Sequence, residues 1–177
     1  MRRVVVTGLG TVNALAQDVP GTFAALIEGR GGIGSLGFRD ADRLTIRIGA
    51  EVRDWDAASH LPAARLPLYD RVTQYALVAG AEAMAMAGLS RGLGARGGVI
   101  LGTAAGGIST WEDSYRAVFV EGKSRVSPLT VPRLMHNAAA SHLSMAWGLT
   151  GPVLSVSSAC ATCSAPASLS TMPGAAS

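Results

Sequence analysis

The stretch Leu149-Thr150-Gly151-Pro152-Val153-Leu154-Ser155-Val156-Ser157-Ser158-Ala159-Cys160-Ala161-Thr162 decides how this chain is read. Gly151-Pro152 introduces Val153–Ser157, a short run of apolar and small residues with the length and period of a strand. The run ends in small residues and delivers a cysteine at a sharp turn. If a helix begins there, its free amides and positive dipole end stabilise a thiolate. A thiolate attacks a thioester carbonyl, and the same amides can hold the oxyanion that develops. Ser158, Ala159 and Ala161 leave room for a substrate to reach the sulfur. Taken alone, a cysteine after a strand reads first as a small buried apolar side chain.

Working outward, Gly98–Gly102 predicts a second buried strand, and Gly102-Thr103-Ala104-Ala105-Gly106-Gly107 a turn into a helix over Ser109 to Val120. Ser127-Pro128 and Val131-Pro132 mark an extended connection. A helix follows from Arg133 to Trp147 and ends at Gly148. Nearer the start, Val4–Thr7 is β-branched and continuous, as in a strand buried on both faces. Gly8-Leu9-Gly10 then turns the chain. Phe23, Leu26 and Ile27 fall at helical spacing before Gly29, and residues 30–67 read as irregular, with Leu44–Val52 as a strand or hairpin arm. The strongest helix runs from Asp70 to Ala87, with an apolar stripe at Val72, Tyr75, Ala76, Ala79, Ala83, Met86 and Ala87 and Gly88 as its stop. Strands alternating with helices predict an α/β protein with a mainly parallel sheet.

The composition sets further bounds. Of 177 residues, 49% are hydrophobic and only 15% charged, where a soluble domain carries about 25% charge. A chain this apolar buries surface against a second domain, another subunit, or both. The net charge is +3, but the arginines are scattered, the one adjacent pair is Arg2–Arg3 and the single lysine is Lys123. Nucleic-acid binding wants a clustered basic face, so no nucleic-acid partner is expected. No apolar run reaches bilayer length, so no membrane partner is expected either. Met1-Arg2-Arg3 and the following valines mimic a signal peptide, yet glycines interrupt the run within a few residues, and the cytoplasm is the default location.

Several features take the plainer reading. Cys160 and Cys163 form a C-x-x-C pair, but His60, His136 and His142 show no metal-ligand spacing, so no metal is expected. The surroundings of a thioredoxin-type redox pair are also absent. Gly8-x-Gly10 has Asn13 where a dinucleotide fingerprint wants its third glycine. Asp54 with Asp56, and Glu112 with Asp113, read as solvated surface groups. His136 and His142 fall on the helix before the cysteine strand and read as packing or capping residues. Ser164 to Ser177 has no charge, two prolines and no apolar period, and reads as a disordered tail.

Taken together, the segments from Arg3 to about Thr162 resemble the β-ketoacyl-acyl-carrier-protein synthases, the condensing enzymes of thiolase-like fold. The opening VVVTGLGTV is similar to their first strand and turn, and Arg71-Val72-Thr73-Gln74-Tyr75-Ala76 to their first long helix. The turn at Gly102–Gly107, the pairs Ser127-Pro128 and Val131-Pro132, and then Asn137, Ala140 and His142 follow in order. Gly148-Leu149-Thr150-Gly151-Pro152 leads to Ser158-Ala159-Cys160, which looks like the active-site signature. Each piece alone is weak; seven in the right order are specific.

The resemblance implies an amino-terminal domain over residues 1–163, with a mixed, mainly parallel sheet flanked by helices and only part of the layered fold present. It implies that Cys160 accepts an acyl group from an acyl carrier protein, its own backbone N–H contributing to the oxyanion site. Decarboxylation of malonyl carrier protein then supplies the carbanion for chain elongation, in fatty acid or polyketide assembly. No cofactor takes part; phosphopantetheine arrives on the carrier. The family's partner is a second copy, in a homodimer. Two further histidines and a lysine come from the second half of the family's fold and have no counterpart in this sequence. The similarity stops near Cys163, which predicts a frameshift, truncation or assembly break, with 164–177 as an aberrant tail. The rival reading is a non-catalytic chain, or a subunit docking on an intact synthase.

Overall fold

The computed structural model describes residues 3–90, 92–159 and 168–171. They divide into two compact units. One comprises the residues up to His60 together with Val78–Gly88, and the other Leu61–Leu77 with the residues from Leu89 onward. Both draw on the span 1–163 that the motifs treat as one domain.

In the first unit, helix α1 (Val19–Ile27) starts at Asp18, whose carboxylate accepts from the Gly21 amide at 2.7 Å, an N-cap with proline just inside the helix. Strands β1 (Ile33–Ser35) and β2 (Ile48–Ala50) pair antiparallel, Gly34 opposite Gly49, so Leu44–Val52 does contain a hairpin arm. A short helix α2 (Ala57–His60) follows. The valine run at the start is the main correction. Val4–Thr7 forms no strand, and Val4, Val5 and Val6 are 92%, 60% and 80% exposed. A strand needs a ladder partner to satisfy its amides and carbonyls, and the described residues of this unit offer it none.

Helix α3 (Arg71–Met86) lies where the sequence predicts it and stops at Gly88, which has φ +64°. Its most buried positions are Thr73, Leu77 and Met84, not the predicted stripe. The small residues of that stripe serve a different purpose in the first unit. A Cβ at Gly10 would overlap the Ala79 carbonyl oxygen, and one at Gly8 would overlap that of Ala83. Alanine and glycine there let two backbones touch. Glu82 on the same helix accepts the amides of Thr11 at 2.9 Å and Val19 at 2.7 Å.

The second unit holds the larger sheet. Strand β3 (Gly97–Thr103) is central, with β4 (Val153–Ser157) parallel on one side and β5 (Ser168–Thr171) antiparallel on the other. The parallel pair joins the two strands read from the sequence, and β5 makes the sheet mixed. Four residues of 164–177 thus form a strand where the composition predicts disorder. An open edge of β3 presents unpaired amides and carbonyls that such a segment can satisfy; the rest of the tail lies outside the described residues.

Helix α4 (Ile108–Tyr115) continues into a π-turn over Arg116–Val120. The long helix expected from Arg133 to Trp147 is instead two helices, α5 (Thr130–Leu134) and α6 (Ala138–Trp147). The break falls at Met135, whose ψ of 143° is extended. There the Leu134 carbonyl accepts from the Gly107 amide at 3.1 Å, outside the helix ladder. The core gathers between α6 and the sheet, where Ala139, Ala140 and Leu143 meet Val99, Leu101, Tyr69, Leu77 and Leu149. No helix among the described residues is long and apolar enough to cross a membrane.

Candidate active site

Parallel pairing sets where the chain emerges from β4. Leu101 sits beside Ser155 and Thr103 beside Ser157, so the two strands end together. The chain then passes Ser158 and Ala159. Cys160 and Cys163 lie outside the described residues, and β4 with Ser158 and Ala159 forms the approach to Cys160.

The end of β3 runs into the glycine-rich turn. The Gly106 amide donates to Thr103 Oγ1 at 3.1 Å, and the Ser157 hydroxyl donates to the Ala104 carbonyl at 3.4 Å. Both strand ends are thereby tied to one turn. Gly106 has φ +65°, and a Cβ on it would lie 2.7 Å from the Leu134 carbonyl oxygen. Side chains rarely adopt that backbone conformation, and here there is also no space for one.

Asp70 holds the turn from the far side. It is 2% exposed. Its Oδ2 accepts the Thr110 amide at 2.7 Å and the Thr110 hydroxyl at 2.6 Å, while Oδ1 accepts the Val72 amide at 3.2 Å. The carboxylate therefore sits at the first turns of both α3 and α4, where free amides and the helix dipoles favour negative charge. In the sequence, Asp70 stands as the start of a helix. Its signal was available, since an Asp immediately before an apolar-periodic run is a cap residue.

Between this turn, the start of α4, the break after α5 and β4 lies a cavity of about 840 Å³. Ile108, Trp111, Leu134 and Met135 make its walls mainly apolar, while Ser155 and Ser157 of β4 enter it from the strand that leads to Cys160. Ser155 Oγ is buried with no hydrogen-bond partner among the described residues. His136 lines the same cavity from the interhelix break rather than from a helix. Ile108, Trp111, Leu134 and Met135 carry no mark as wall residues in the sequence, because the break that assembles them left no proline or glycine between Arg133 and Trp147.

The other candidates separate cleanly. His142 is half-buried on α6, edge-on to Tyr69 with ring centroids 4.8 Å apart, which bears out its reading as a packing residue. Burial lowers its pKa below the usual 6.5, and the Arg65 charge lowers it further. Asp54, Asp56, Glu112 and Asp113 stay exposed. His60 stacks on Trp55 at 4.9 Å and contacts Gln17 at 3.1 Å. Among the described residues no three His, Cys, Asp or Glu side chains converge as metal ligands.

The family described as beta-ketoacyl synthase, N-terminal domain, matches residues 1–169. The chain belongs to that family. Nodulation protein E of Rhizobium sp. (strain N33) is 39% identical over 163 residues, 91% of this chain and 40% of that protein. The 3-oxoacyl-[acyl-carrier-protein] synthase 2 of Vibrio harveyi is 34% identical over 91% of this chain and 39% of its own length. A crystal structure of a β-ketoacyl synthase from Burkholderia phymatum STM815 superposes with a TM-score of 0.74 at 26% identity, covering 93% of this chain and 41% of that one. The chain thus spans about 40% of the length of these relatives. The fold is the amino-terminal portion of the thiolase-like synthase architecture. Within the β-ketoacyl synthase domain, the glycine-rich turn, the broken helix and β4 are one assembly around one cavity.

Proposed function

We propose that this domain is the acyl-accepting part of a β-ketoacyl-[acyl-carrier-protein] synthase, with Cys160 as its nucleophile. The observation that carries the reading is the cavity whose wall includes Ser155 and Ser157, a few residues before the family's Ser-Ala-Cys signature at Ser158-Ala159-Cys160. The first step forms one bond and breaks one. The Cys160 thiolate adds to the acyl carrier's thioester carbonyl, the oxyanion is held by backbone amides including that of Cys160, and collapse expels the phosphopantetheine thiolate. The mainly apolar cavity suits an acyl chain.

The second step joins carbon to carbon. Malonyl carrier protein loses CO₂, its carbanion attacks the acyl-cysteine carbonyl, and the Cys160 thiolate leaves. The product is a β-ketoacyl carrier two carbons longer. The two histidines and the lysine that assist this step in the family come from the second half of its fold. In this reading the partners are acyl carrier proteins and a second synthase subunit, the location is the cytoplasm, and the pathway is fatty acid or polyketide elongation.

One observation favours a second reading, a subunit that docks on an intact synthase without condensing. Large apolar side chains such as Val4, Ile33, Ile48, Phe119 and Val120 are exposed, and large apolar patches mark surfaces that a partner covers. Incubation with an acyl carrier thioester, followed by intact-mass measurement, separates the two. The synthase reading expects an acyl adduct released by hydroxylamine. A chain that iodoacetamide alkylates but the thioester leaves unmodified supports docking alone.

A further inference from the structure

The wall of the acyl cavity is not uniform. Ile108, Trp111, Leu134 and Met135 make most of it apolar, but the next two residues along the chain, His136 and Asn137, line it as well. The glycine-rich turn seats His136 closely. A Cβ at Gly106 would come within 3.1 Å of the His136 Cδ2 and 3.2 Å of its Cα. Asn137 stands at the N-cap of α6 and makes no side-chain cap bond, although asparagine is among the best residues for one. Neither side chain has a hydrogen-bond partner among the described residues. Both are exposed, so a ligand can reach them, whereas the sealed Ser155 Oγ takes no part.

An imidazole and a carboxamide each offer a donor and an acceptor. An all-carbon chain filling the cavity would strip water from both and return nothing, and a hydrogen bond that the incoming group cannot reproduce is lost affinity. An oxygen on the chain would restore it. Among the described residues no lysine or arginine lines the cavity, which favours a neutral oxygen, hydroxyl or keto, over a carboxylate. We propose that His136 and Asn137 select acyl chains that carry a neutral oxygen substituent. This selectivity rests on the cavity being the acyl site and adds the class of chain it takes. Ligand pockets draw their specificity from a few such polar groups in an apolar lining.

The test is equilibrium binding, without turnover. Methyl octanoate and its mono-hydroxy and mono-keto derivatives are titrated into the whole chain and followed by calorimetry. Each ester is expected to saturate one site, and at least one oxygenated ester to bind about tenfold tighter than the parent, the scale of one hydrogen bond. In His136→Leu and Asn137→Ala, each checked for wild-type circular dichroism, the preference should shrink to within about twofold. His136→Gln, which keeps a donor and an acceptor, should retain part of it, and His60→Gln in the other unit all of it. A parent ester that binds the wild type as tightly as every oxygenated ester would overturn the proposal by itself. So would a preference that persists in both His136→Leu and Asn137→Ala. Saturation by none of the esters would remove the cavity as an acyl site too, whereas failure of Cys160 to accept an acyl group would leave these ratios as they are.

Discussion

Val4–Thr7 and Gly97–Thr103 look alike as sequence, each a short run rich in β-branched and small residues. They differ completely in outcome. Val99 in the second run is 2% exposed between two paired strands, whereas Val4 in the first is 92% exposed and unpaired among the described residues. The difference teaches that a β-branched run is only a candidate. A strand is made by a neighbour that completes its hydrogen bonds and a layer that covers its face. For β3 the neighbours are β4 and β5, and α6 supplies the cover.

The contrast can be sharpened by substitution. Leu101→Ala removes a side chain from the covered strand and is expected to cost about 2–5 kcal/mol, read as a lower urea midpoint. A loss under about 1 kcal/mol would mean that the core of the second unit is not closed. Asp70→Ala should cost about 1–3 kcal/mol, since the Thr110 amide and hydroxyl lose their acceptor in a buried place. The same variant should loosen the glycine-rich turn, visible as faster amide exchange at Gly106 to Thr110. Unchanged exchange there would remove Asp70 from the account of the site.

A pH series probes the same unit more gently. The folded state holds His142 at a lowered pKa, first by burial and then by Arg65, so the unfolded chain binds the proton more readily. Stability is complete above the ordinary value of 6.5 and falls as pH drops from there through the lowered folded-state value. Midpoints taken at about pH 7.5 and about pH 5.5 should differ in that direction, by less in His142→Gln. Equal differences in both chains would assign the effect to other groups. The smallest effect is expected at the exposed run, where Val5→Ala should stay within about 0.5 kcal/mol. A cost comparable to Leu101→Ala would show that the run is covered in solution.

Much of the fold was legible because short-range rules wrote it. The stop at Gly88, the turn at Gly102–Gly107 and the helix at 71–86 each rest on local chemistry. What escaped was decided over distance. The break after Leu134 depends on a backbone contact to Gly107, which no window around residue 135 contains. The buried positions of α3 are Thr73, Leu77 and Met84 on one face, while Ala79 and Ala83 of the predicted stripe meet the backbone at Gly10 and Gly8, a contact made over about seventy residues of chain. For the site, the cysteine signature was legible by motif, but the cavity walls at Ile108, Trp111 and Leu134 come together only in three dimensions. Asp70 was legible as the start of a helix and not as a tie between two helices.

The central claim is that Cys160 accepts an acyl group. No lysine or arginine follows Arg133, so trypsin leaves Cys160 and Cys163 in one peptide and variants must locate the adduct. The decisive measurement is intact mass after exposure to an acyl carrier thioester, for the wild type, Cys160→Ala and Cys163→Ala in parallel. The account predicts an adduct on the wild type and on Cys163→Ala, and none on Cys160→Ala. An adduct that survives in Cys160→Ala and vanishes in Cys163→Ala would contradict it.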